Sequence, residues 1–139
     1  MVFCHFVGPF KDKGLEKVTG RFIQRLELFW PVKVKEVPEK SKDLLKLVEG
    51  KAKKGILISL DPAGESMDSD KFTRWVTQTP NDLQIFAWGA DGPPPEIRNL
   101  SMKKLSLSPM TYSHELARVL LMEQLYRAGA ILKGHPYPH

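Results

Sequence analysis

Apolar and polar positions along this 139-residue chain change period several times, and each change predicts an element. Residues 2–7, "VFCHFV", read as a strand. From 13 to 29, Leu15, Val18, Phe22, Leu26 and Phe29 recur at helical spacing, predicting an amphipathic helix closed by Pro31. "VKVKEV" (32–37) alternates strictly, as a strand with one wet face does. Residues 40–53 carry Leu44, Leu45, Leu47 and Val48 on a second helix, and Gly55 punctuates its end. "GILISL" (55–60) reads as a buried strand running into the turn "DPAGESMDSD". Ser69 then caps a short helix through Thr77. "LQIFAW" (83–88) is another buried strand, followed by "GADGPPPE". "KLSLS" (104–108) is the last strand, and Ser113 is the N-cap of a final helix.

Strands alternating with helices, two of them continuous apolar runs, predict an α/β single domain: a mostly parallel sheet flanked by helices. Sheets of this kind bind ligands beyond the carboxyl ends of their strands. Three segments leave strands with loop chemistry: "LDPAG" after Ser59, "GADGPPP" after Trp88 and "SPMTY" after Leu107. If those ends are neighbours, they form one pocket.

Composition narrows the class. Hydrophobic residues make up 42% and charged residues 27%, ordinary for a globular domain. No hydrophobic run exceeds four residues, too short to span a membrane as a helix. "MVFCHFVGPF" does not read as a signal peptide. The single Cys4 excludes an intramolecular disulfide and suits a reducing cytosol; a lone thiol in a strand is expected to be buried packing. The net charge of +5 favours acidic partners, nucleic acid foremost, without deciding the matter. Lysines cluster in 32–54 and 102–104, where a solvated face is the plainer reading.

The short motifs are weak. "GADG" (89–92) is not a dinucleotide fingerprint, because three prolines follow where a phosphate-binding helix would begin. His5, His114, His135 and His139 have no paired spacing for a metal. Ser108, His114 and Asp91 can be assembled on paper into a nucleophile triad, but any chain of this length offers such a trio. The final helix says more. At about 100° per residue, Glu123, Gln124 and Arg127 share one wedge, with Glu123 and Arg127 an i, i+4 ion pair. Spacing alone describes a surface salt bridge as well as a site. Arg118 lies on the far side among leucines and must be paired there or face a partner. A helix apolar on most sides needs cover besides the sheet, and a second copy of itself is the economical candidate.

Residues 105–137, "LSLSPMTYSHELARVLLMEQLYRAGAILKGHPY", resemble the C-terminal signature of SPOUT-class bacterial methyltransferases acting on large-subunit ribosomal RNA. The likeness is to those that methylate N3 of a pseudouridine in 23S rRNA. "SLDPAG" and a GxxG loop after the fourth strand agree in order, while the first fifty residues match only in pattern. The resemblance implies one domain over 1–139 with a C-terminal trefoil knot, its region about 83–139, in a cytoplasmic homodimer joined through the C-terminal helix. It implies S-adenosylmethionine (SAM) as cofactor and ribosomal RNA, on the assembled ribosome, as partner, with no metal and no membrane. Carried over by position, the cofactor loops hold Leu60, Trp88, Gly89, Gly92, Leu107, Ser108, Pro109, Met110, Thr111 and Tyr112.

The chemistry then assigns expected roles. N3 of pseudouridine is a neutral imide nitrogen, so it must shed its proton as it takes a methyl group. Arg127 stays protonated and can steady the developing imidate or hold a phosphate. Glu123 orients Arg127 or acts as base. His114, Tyr137 and His139 are expected to reach the substrate base by hydrogen bonding or stacking.

Two positions depart from the family. Where it has I-G-G-x-x-G, this chain reads "AWGADG", so Trp88 replaces the first glycine and must either turn away or fill space. Where it ends in Tyr-His and a basic residue, this chain ends "PYPH", with Pro138 at the usual His position.

Overall fold

A computed structural model describes residues 1–40 and 42–137. Its elements run β1 (Val2–Val7), α1 (Lys13–Leu26), β2 (Val32–Val37), α2 (Leu44–Ala52), β3 (Ile56–Ser66), α3 (Ser69–Gln78), β4 (Leu83–Ala87), α4 (Pro95–Arg98), β5 (Lys103–Ser106) and α5 (His114–Leu132). The five strands form one sheet in the order β2-β1-β4-β3-β5, and every pairing is parallel. The α/β single-domain expectation therefore holds.

Several boundaries move for physical reasons. α1 stops at Leu26, short of Phe29, because the Leu28 and Phe29 amides fall back on the Arg25 and Leu26 carbonyls at 3.2 and 3.0 Å. Pro31 ahead pushes Trp30 out of the helical region. α2 begins only at Leu44, where apolar side chains start to find the sheet. Asp68 caps α3 through its bond from the Lys71 amide at 2.7 Å, which corrects the expected Ser69 cap: Ser69 is the first helical residue. Ser113 caps α5 as expected, accepting from the Leu116 amide at 3.3 Å. The four-residue α4 has no periodic signal and starts on Pro95, whose fixed φ suits a first turn.

The largest change is in β3. It does not dissolve into a turn after Leu60 but loops out over 61–64 and resumes, so that Leu60 and Glu65 both stand opposite Leu105. Gly64 makes the excursion possible: a Cβ there would sit 2.6 Å from the Lys104 carbonyl carbon.

Strand parity divides the interior. Val2, Cys4 and Phe6 of β1 and Leu83, Ile85 and Ala87 of β4 face a larger core under α1, α3 and α5. Val7, Leu57, Phe86 and Trp88 face a smaller one under α2 and α4. Among the described residues, no helix is long and apolar enough to cross a membrane.

Candidate active site

β4, β3 and β5 are consecutive in the sheet, so their carboxyl ends lie side by side. There the three loops enclose a cavity of roughly 430 Å³. Its walls include Leu60, Trp88, Gly89, Gly92, Leu107, Ser108, Met110, Thr111 and Tyr112, so nine of the ten positions carried over for the cofactor share one cavity. Pro109 is the exception; it turns the loop without lining it. Asp61, Pro62 and Ala90, from the two loops expected to close the pocket, also line the cavity, as does Ala117 of α5, which nothing in the sequence marked. Charged groups are few: Asp61, whose carboxylate accepts the Ala63 amide at 2.9 Å, and His114 at the first turn of α5. The volume and the mostly apolar walls suit a small organic ligand held by a few polar groups.

Trp88 turns away. Its indole N–H donates to Ser59 Oγ at 2.6 Å, and the ring stacks on Phe86 at 5.3 Å between centroids. Phe86 in turn stacks on His5 at 4.5 Å. The indole is thus anchored in the smaller core, and the residue neither fills the cavity nor is free to stack on a bound ligand. No sequence signal pairs Trp88 with Ser59, 29 positions away.

α5 separates the expected catalytic residues. His114 and Ala117 line the large cavity, while Leu120 and Gln124 line a smaller one of roughly 170 Å³ that shares Leu105, Leu107 and Tyr112 with it. Farther along, Glu123 Oε1 accepts from Arg127 Nη2 and from the Tyr137 hydroxyl, each at 2.8 Å, and Glu123 Oε2 accepts from Gln124 at 3.0 Å. Burial, reinforced by the bond to Glu123, raises the Tyr137 pKa, so the phenol keeps its proton and donates. Glu123, Arg127 and Tyr137 therefore form one polar cluster, half-buried. His114 is not part of it: thirteen residues of helix set it about 20 Å from Arg127 along the axis. His139, also expected here, lies outside the described residues.

Arg118 has a different task. It is fully buried, its Nη2 donates to the Val7 and Gly8 carbonyls at 2.8 and 3.0 Å, and its guanidinium lies against the Phe6 and Phe10 rings. Burial lowers its pKa, while Glu115, Glu36 and Glu39 pull the other way. Glu115 accepts the Lys11 and Asp12 amides at 2.8 and 3.0 Å, so the start of α5 clamps the end of β1 and the loop after it. Cys4 is packing: burial pushes its thiol up to about 12, far from a reactive thiolate. Of the paper triad, Ser108 and His114 line the cavity and Asp91 does not.

A family profile described as "Predicted SPOUT methyltransferase" matches residues 2–139. The chain is 32% identical to the ribosomal RNA large subunit methyltransferase H of Gemmatimonas aurantiaca, covering 94% of each chain. It is 35% identical to the protein of the same name from Solibacter usitatus, covering 98% of this chain and 97% of that one. In fold it is similar to a putative methyltransferase from Legionella pneumophila, whose structure was solved in complex with bound SAM. The TM-score is 0.52 at 15% identity, over 92% of this chain and 66% of that one.

Proposed function

From the premise that this chain belongs to the SPOUT methyltransferase family, we propose that it transfers a methyl group from SAM to N3 of a pseudouridine in large-subunit (23S) ribosomal RNA. One observation carries the reading: the loop residues that the family places around SAM line a single cavity at the carboxyl ends of β4, β3 and β5.

The cavity fits the cofactor. Its apolar walls at Leu60, Leu107 and Met110 suit the adenine, and Asp61, Ser108 and Thr111 offer polar groups to the ribose and the amino-acid end. When bound, SAM supplies an electrophilic methyl group. Trp88 leaves that space open because Ser59 and Phe86 hold its ring elsewhere.

The polar cluster is suited to the substrate base. Three donors on Glu123 favour orienting over proton abstraction, since most of its roughly four lone-pair sites are already engaged. Arg127, steadied by that carboxylate, presents fixed positive charge to the imidate that forms when N3 loses its proton. Tyr137 donates to the same carboxylate oxygen as Arg127 and keeps its ring near the guanidinium, 5.9 Å away.

A homodimer completes the site. In one chain the cluster stands about 20 Å from His114 along α5. The half-exposed face of α5 carries Leu116, Val119 and Leu120 beside the exposed Met110 and Tyr112, apolar surface that a second copy would cover. Antiparallel packing along that stripe would bring one protomer's cluster to its partner's cavity. The chain from β4 onward forms the trefoil knot of the family, and the protein works in the cytoplasm on the assembled ribosome.

Calorimetric titration with SAM, followed by mass analysis of 23S rRNA from a deletion strain, tests the reading. Saturable SAM binding and a lost methyl group at one pseudouridine are expected; no heat at millimolar SAM would overturn it.

A further inference from the structure

α1 carries Lys13, Lys17, Arg21 and Arg25, each four residues from the next. At 100° per residue the four fall within about a 120° wedge, turned away from the apolar face that Leu15, Phe22, Ile23 and Leu26 present to the core. All four are exposed, and none has an ion pair among the described residues. Such an arrangement opposes the helix. Each like-charged i, i+4 pair costs a few tenths of a kcal/mol, and Lys13 in the first turn faces the positive end of the dipole. Both acids near this face, Glu16 and Glu27, lie outside the wedge. The ridge spans about 18 Å, from 12 residues at about 1.5 Å each.

The helix that bears the ridge packs against α5 through its opposite, apolar face, on the side of the sheet where the polar cluster stands. Phe22, from the middle of α1, lies 5.8 Å from the Tyr126 ring, and Tyr126 lies 4.7 Å from Tyr137, which donates to Glu123. The lysines of α2 are elsewhere, since that helix covers the opposite face of the sheet. We infer that the α1 ridge is a phosphate-binding surface that grips the ribosomal RNA strand flanking the target nucleotide. The inference rests on the proposed rRNA methylation and adds the residues that hold the substrate. RNA suits the ridge better than a membrane does: the apolar face of α1 is spent in the core, leaving nothing to insert among acyl chains.

The test compares a Lys17→Gln/Arg21→Gln variant with a Lys46→Gln/Lys53→Gln control, which removes the same charge from α2 and its C-cap residue. Filter binding to assembled bacterial ribosomal particles (70S) is measured from 50 to 200 mM KCl, alongside methyl-transfer kinetics and SAM calorimetry. The ridge variant should lose about 1.4 from the slope of log affinity against log salt, at about 0.7 per lost contact to single-stranded RNA. KM for the particles should rise roughly tenfold with kcat and SAM affinity unchanged, the control staying near wild type. Its Tm should be unchanged or higher, since repulsion is removed; a fall would mean that the cations serve the fold, and would overturn the inference. Equal behaviour of ridge variant and control would overturn it too. So would a defect confined to phosphatidylglycerol vesicles. A wild-type protein that binds particles without methylating them would sink the proposed reaction alone, leaving the salt slopes to decide the ridge.

Discussion

Trp88 Nε1 and Ser59 Oγ lie 2.6 Å apart, joining the residue that follows β4 to β3 beside the cavity at the strand ends. Ser59→Ala strands a buried N–H, which costs about 1–3 kcal/mol. It should also loosen the Trp88 ring and weaken SAM binding. A double-mutant cycle with Trp88→Phe measures the link by thermal melts and calorimetry; additive effects would mean that the bond does not hold the cavity open.

Arg127→Ala should abolish methylation while SAM affinity stays within about twofold, because the guanidinium stands apart from the cavity lining. Glu123→Gln keeps the shape of the cluster and lowers kcat by about 10²-fold, the scale of losing one preorganised electrostatic group. Loss of SAM binding in Arg127→Ala would remove that residue from its catalytic role.

Arg118→Met should destabilise the fold by about 2–4 kcal/mol, since it leaves the Val7 and Gly8 carbonyls without their donor at a fully buried position. Chemical denaturation measures it. An unchanged midpoint would show that water replaces the guanidinium there.

His5 gives a pH signature. Burial lowers its pKa below 6.5 despite the 2.7 Å hydrogen bond to Gln84, so the folded protein holds the neutral ring. The unfolded chain then binds a proton that the folded one refuses. This contribution to stability is intact above pH 6.5 and declines below it, by at most about 1.4 kcal/mol per pH unit. Backbone donation from Asp12 and Lys11 lowers the Glu115 pKa, with burial opposing, so its contribution fades only below pH 4.5. Melts of His5→Gln between pH 5.5 and 7.5 should be flatter than wild type; parallel curves would refute the assignment.

Gly64→Ala should part β3 from β5, because the new methyl group meets backbone atoms of Lys104 and Leu105 at 2.6–2.8 Å. The loop over Asp61 and Pro62 is part of the cavity wall, so SAM affinity should fall together with Tm. Retained affinity in a destabilised variant would separate the loop from the site.

The hydrophobic pattern determined the parallel sheet and the order of every element but α4, because burial imposes period 2 on strands and 3.6 on helices. The strand order that makes three loop-bearing ends neighbours came from the structure. The 105–137 stretch determined the family and, with it, the cofactor and the chemistry. Local hydrogen bonds set the helix ends, so they fell within a few residues of the pattern and not on it. What depends on distant partners was decided only by the tertiary structure. Nothing beside Trp88 in the chain announces Ser59, yet that bond holds the indole in the smaller core. Nothing beside Arg118 announces the Val7 and Gly8 carbonyls that accept from it in the interior. The pairing of Glu123 with Arg127 was legible from their spacing; the Tyr137 bond that makes them a cluster arises because the chain after α5 folds back upon it. A sequence states its own periodicity, but a hydrogen bond or a cavity belongs to whichever segments packing brings within reach.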